Sequence, residues 1–115
     1  MAVNEKFLDK MYEIAFIGLS TVNGALDGIV FATASDEHAR IWVGADKKTH
    51  YDIDRSEFYR VPENLIERLQ AKPSIKEVSI DELGQTIKEH QYKIRNDVLV
   101  GLREIFRRLM EIQQL

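Results

Sequence analysis

The chain of 115 residues predicts an α+β fold: an antiparallel β-meander over about residues 14–54 packed against C-terminal amphipathic helices, with a short N-terminal helix. Three observations carry that prediction. Strand-like runs around an Asn23-Gly24 pair occupy the first half. Apolar residues at steps of three and four occupy the last third, which is helical periodicity. Between them, Ser79 stands three residues before Glu82, the capping-box spacing that satisfies backbone donors at a helix start.

Asn4 to about Glu13 reads as a helix capped by Asn4, with Phe7, Leu8, Met11 and Tyr12 on one face. From Ile14 to Leu19 the chain is apolar on every side, and Thr21 and Val22 add β-branched residues. Asn23-Gly24 then supplies a type I′ hairpin turn, which needs positive φ at both central residues. A two-residue turn sets Val22 opposite Ala25, Ile17 opposite Val30 and Phe16 opposite Phe31. The rival is one helix from Asn4 to Val22 ended by Asn23-Gly24 as a C-cap, which leaves Ile14 and Ile17 unexplained.

Gly28 to Ala34 is the next strand, closed by a polar turn at Ser35 to His38. Arg40 to Gly44 follows with Ile41 and Val43 on one face and Arg40 and Trp42 on the other. Thr49 to Asp54 alternates again. Pro62 suits the first turn of a helix over Glu63 to Ala71, Pro73 ends it, and Ser74 to Val78 can add an edge strand. The three C-terminal helical segments are expected over one sheet face.

Val78 and Leu83 stand where a hydrophobic staple would. Beyond Glu82 the stripe runs through Ile87, Ile94, Val98, Leu102, Ile105, Leu109 and Ile112, and past Asn96 it widens to Leu99, Phe106 and Met110. The final segment thus carries more apolar surface than a helix lying singly on a sheet needs. Asn96 and Asp97 allow a helix break there, and continuity is the alternative. Arg103, Glu104, Arg107, Arg108 and Glu111 form the solvated face, spaced for i,i+4 pairs.

Length is that of one domain, residues 1–115, able to bury its own core. The absence of cysteine excludes a disulfide framework and thiolate metal or nucleophile chemistry. No signal-like or membrane-length apolar run is present, so a cytoplasmic protein away from membranes is expected. Net charge is −3, with 6 basic and 10 acidic residues up to Glu57 and 10 and 9 after it. Neither half is basic enough to hold a polyanion mainly by phosphate contacts.

Among candidate sites, His50, Asp52 and Asp54 share one face of a predicted strand at about 7 Å intervals and are possible ligands of a divalent metal. Three collinear side chains cannot surround an ion without a second element, so no metal or other cofactor is expected. Arg55, Tyr59 and Arg60 form an arginine and aromatic group able to hold an anion or face a partner, and Arg103 and Arg107 extend the basic set. Trp42 points to a partner or ligand if its sheet face is uncovered. No nucleophile elbow or glycine-rich phosphate loop occurs. The reading is a small non-enzymatic protein, regulatory or adaptor in type, that binds another protein and forms a homodimer through its C-terminal helix. Its expected interface is Trp42, Tyr59, Leu99, Leu102, Phe106, Leu109 and Met110. The alternatives are a small metal-dependent enzyme using His50, Asp52 and Asp54, and a nucleic-acid-binding regulator.

Overall fold

The structure, a computed structural model, describes residues 5–42 and 58–114, with the backbone alone at Trp42. A helix α1 (Glu5–Asp9) and a 3-10 turn (Met11–Glu13) lead into β1 (Ile14–Val22), β2 (Ala25–Thr33) and β3 (Glu37–Trp42). After β4 (Tyr59–Arg60) come α2 (Leu65–Gln70), β5 (Ile75–Glu77), α3 (Ile80–His90), a 3-10 turn (Gln91–Lys93) and α4 (Asn96–Gln113). The described strands form one antiparallel sheet of order β4-β3-β2-β1-β5. The α+β class, the meander and the C-terminal helices are as the sequence predicts. The predicted strand Thr49 to Asp54 lies outside the described residues.

The hairpin is formed, and the long-helix alternative is not. Asn23 and Gly24 take φ of 52° and 80°, the positive pair that a type I′ turn requires, and Val22 pairs Ala25. Beyond Thr21 the predicted register slips by one: Ile17 faces Phe31 and Phe16 faces Ala32. The cause is a bulge at Asp27, which has no β1 partner between the Ser20–Gly28 and Thr21–Leu26 pairs. A second bulge leaves Ala15 without a β2 partner between Ile14–Thr33 and Phe16–Ala32.

β3 begins three residues earlier than expected. The Thr33 hydroxyl accepts from the Ser35 and Glu37 amides, and the Thr33 carbonyl accepts from the Asp36 amide, so the reversal is complete by Glu37. Asp36, at φ 61°, also reaches the start of α2: its Oδ1 accepts from the Leu65 amide at 2.9 Å. Helix α2 therefore starts at Leu65, two residues later than predicted, because Asn64 is left-handed at φ 66° and Asp36 supplies the cap.

Two cores lie on opposite sides of the sheet. The larger joins Ile17, Ile29, Phe31 and Ile41 to Phe7, Met11, Leu83, Val98, Leu102, Ile105 and Leu109. The smaller joins Phe16, Val30 and Ala32 to Leu65 and Leu69. The expectation of three helices on one face is corrected here. Helix α2 takes the second face, because Phe16, Val30 and Ala32 on alternate strand positions need an apolar cover of their own.

Ser79 caps α3 as predicted, with its Oγ accepting from the Glu82 amide at 3.1 Å. The Glu82 carboxylate pairs with Lys76 at 3.7 Å. The helix break exists, at extended Ile94 rather than at an Asn96 or Asp97 cap: Arg95 is the N-cap residue, and Asp97, in the first turn of α4, is held by the Arg95 guanidinium.

Candidate binding groove

Two observations place the site. Strand β1 is nine residues long, yet β5 pairs it only at Gly18, Leu19 and Ser20. The last contact on that side is the Val78 amide donating to the Ile17 carbonyl at 2.9 Å. Beyond it the chain turns away at Ser79 into α3, since the cap that starts the helix ends the strand. The first part of β1 therefore has β2 on one side and, among the described residues, no strand on the other.

A groove of about 280 Å³ lies along this uncovered edge. Its walls are Met11 and Tyr12 of the 3-10 turn, Ile14 to Ile17 of β1, Val78 to Ile80 at the β5–α3 junction, and Leu109 and Ile112 near the end of α4. Met11, Ile17, Val78 and Leu109 belong to the large core, so the floor is rigid; Ile14, Ile80 and Ile112 are only partly buried. Across the ridge made by Tyr12 and Ile112 lies a second depression of about 310 Å³, bordered by Leu8, Arg108 and Glu111. Tyr12 stands 69% exposed between the two.

Strand geometry fixes the backbone at this edge. Ile17 turns its carbonyl toward β5, and just before it the bulge at Ala15 interrupts the regular alternation of the strand. As the extra residue of a bulge, Ala15 is exposed and has no β2 counterpart. The groove thus offers backbone hydrogen-bonding groups beside an apolar floor. Its polar side chains are Tyr12, Glu77, Ser79 and Gln113, which make no nucleophile and base pair.

The residues expected at an interface are distributed differently. Leu102 and Leu109 point into the large core, and Leu99 is buried beside them. Phe106 and Met110 are half-buried. The wide stripe is explained within the protomer: α4 packs on the sheet through Val98, Leu102 and Ile105 and on α3 through Phe106, whose ring lies over Gly84. A Cβ on Gly84 would stand 2.6 Å from that ring, which is why a glycine interrupts α3 there. Of the described residues of α4, the half-buried Phe106 and Met110 and the exposed Val100 are among those a dimer would have with which to form.

Tyr59 is exposed on β4 with its ring 5.6 Å from that of His38, and Arg60 is exposed beside it. Trp42 closes β3 opposite Gly28. Arg103 hydrogen-bonds Gln91 at 3.1 Å, whereas Arg107 is paired with Glu104 and Glu111. Those pairs hold the Glu104 carboxyl below its usual range, chiefly through the Arg107 hydrogen bond, and raise the Arg107 guanidinium. His50, Asp52, Asp54 and Arg55 lie outside the described residues. Among those described, no group of three His, Asp or Glu side chains is placed to hold a metal ion.

On the second sheet face, Arg40 donates to Asp27 at 2.7 Å and to Ser20 at 3.4 Å. This is the bulged aspartate, so the ion pair sits at the bulge. Of the groove residues, only Leu109 was singled out from sequence for binding, and there as part of a dimer interface.

No family model, curated protein or solved structure matches the chain. No described helix is long and apolar enough to cross a membrane.

Proposed function

We propose that the protein is a small cytoplasmic regulatory or adaptor protein without chemistry of its own, which captures a short extended segment of a partner protein in the β1–α4 groove. The observation that supports this most is the length by which β1 outruns β5, leaving a strand edge beside an open apolar floor. In strand addition, main-chain hydrogen bonds supply affinity and alternate side-chain pockets supply specificity. Here Ala15 and the Ile17 amide face the incoming strand, and Ile14, Ile80 and Ile112 receive every second side chain. The occupant continues the line of β5, in sequence apolar at alternate positions.

Selection of short random peptides displayed against the protein tests this. Enriched peptides are expected to alternate apolar and polar residues, to slow hydrogen exchange at the Ala15 and Ile17 amides, and to lose binding to a folded Ile112→Glu variant. No enrichment, or binding that Ile112→Glu leaves intact, would overturn it.

A further inference from the structure

A second concave surface lies on the far side of α4, between it and α3. Gly84 meets Phe106 and Gln91 meets Arg103, so the two helices run antiparallel. The space between them is a groove of about 170 Å³ with Ile87 and the Phe106 ring as its floor and Lys88, Gln91 and Arg103 as its rim. Its charge is unlike that of the rest of the helix. Arg107 and Arg108 are both engaged by Glu104, and Arg107 also by Glu111. Lys88 and Arg103 face the groove and meet no carboxylate among the described residues; Arg103 is steadied by neutral Gln91. Toward the Gln91 end of the pair stand Tyr92, 93% exposed, and Val100, 49% exposed.

We propose that this groove docks an acidic amphipathic helix of a partner protein, with one apolar side chain seated over Ile87 and Phe106 and flanking carboxylates on Lys88 and Arg103. Three features select that occupant. The trough between two antiparallel helices suits a third helix laid along it. The floor has room for little more than one anchoring side chain, so affinity depends on the rim. The rim holds two cations and no anion, and charge-assisted hydrogen bonds to carboxylates are the strong partners of a guanidinium. The protein as a whole carries −3, so an acidic partner is attracted here and repelled elsewhere, which confines it to the groove. This surface is separate from the β1–α4 groove, and either can be occupied without the other.

The test uses two synthetic helical peptides, each with one leucine stripe, flanked by glutamates in one and by lysines in the other, titrated against the 115-residue protein. The acidic peptide is expected to bind, to shift the amides of Gly84, Lys88 and Arg103, and to weaken at least tenfold with Arg103→Glu. The lysine peptide is expected to bind only the Lys88→Glu, Arg103→Glu double variant, a charge swap that a folding defect could not produce. Binding of neither peptide, equal binding of both, or indifference to Arg103→Glu would overturn the proposal. Self-association of the free protein that Arg103→Glu abolishes would also overturn it, by assigning the groove to a second copy.

Discussion

The two faces of the sheet are built to different depths, and the contrast separates what holds the chain together from what it presents. One face lies under α1, α3 and α4 and gathers most of the buried apolar side chains. The other is covered in part by α2, six residues long, over Phe16, Val30 and Ala32, and beside that small core sit Ser20, Asp27, His38 and Arg40. A large core tolerates little rearrangement. A small one at the edge of a short helix can close over a lost side chain.

Truncation should expose this difference most strongly. Leu→Ala in a core costs about 2–5 kcal/mol depending on how far the site collapses. Leu102→Ala, enclosed by sheet and helix, is expected in the upper half of that range, and Leu69→Ala on α2 near its lower end. Urea denaturation of both variants checks this. Equal losses would mean that the second face is as tightly packed as the first.

Gly18 comes next in expected effect. Its face of β1 carries the Phe16 ring, and a Cβ at Gly18 would lie 2.6 Å from that ring and 2.7 Å from Ile75 Cγ2. Overpacking of this kind costs about 1–3 kcal/mol, so Gly18→Ala should destabilise although alanine suits a strand no worse than glycine. The double variant Gly18→Ala, Phe16→Leu should recover part of the loss, and no recovery would place the strain at Ile75.

What was legible in the sequence follows the same division. The deep face was readable because its signals are local: Asn23-Gly24 needs positive φ, Ser79 needs an amide to cap, and the stripe from Leu83 to Leu109 repeats with the helix. The second face was not. The bulge at Asp27 was not read, because the arginine that pairs with this aspartate lies on another strand. Nothing in Leu65, Ile66 and Leu69 tells which side of the sheet they cover, because an amphipathic helix fits either. The β1–α4 groove was hidden for a related reason: it exists because β5 stops at Glu77, and the capping residue that stops it reads in sequence only as the start of a helix.

Asp27→Ala probes that bulge. The Asp27 side chain is 12% exposed and Arg40 39%, so the pair is partly screened, and a loss of about 1–2 kcal/mol is expected. If the carboxylate also sets the bulge, amide shifts should spread to Ser20 and Gly28. Shifts confined to Arg40 would show that the bulge forms without the ion pair.

The smallest expected effect is a pH dependence at His38. Burial lowers its pKa, nearby Arg40 and Lys72 lower it further, and a hydrogen bond to the Tyr59 backbone opposes them. Its Nδ1 is buried and meets no hydrogen-bond partner among the described residues, as suits a neutral ring. The folded protein therefore binds this proton less readily than the unfolded chain, in which the ordinary value is about 6.5. Stability from this group is complete above about pH 6.5 and declines as pH falls through the lower folded value, with the unfolded state taking up the extra proton. His38→Gln should flatten that part of the stability curve, while Glu104→Gln should leave it unchanged, because the Glu104 carboxyl titrates below it. Any slope between pH 5 and 7 that survives His38→Gln must arise from another group. NMR titration of the His38 ring in the folded protein decides the matter, since a value equal to the ordinary one would remove the predicted slope and a higher one would reverse its sign.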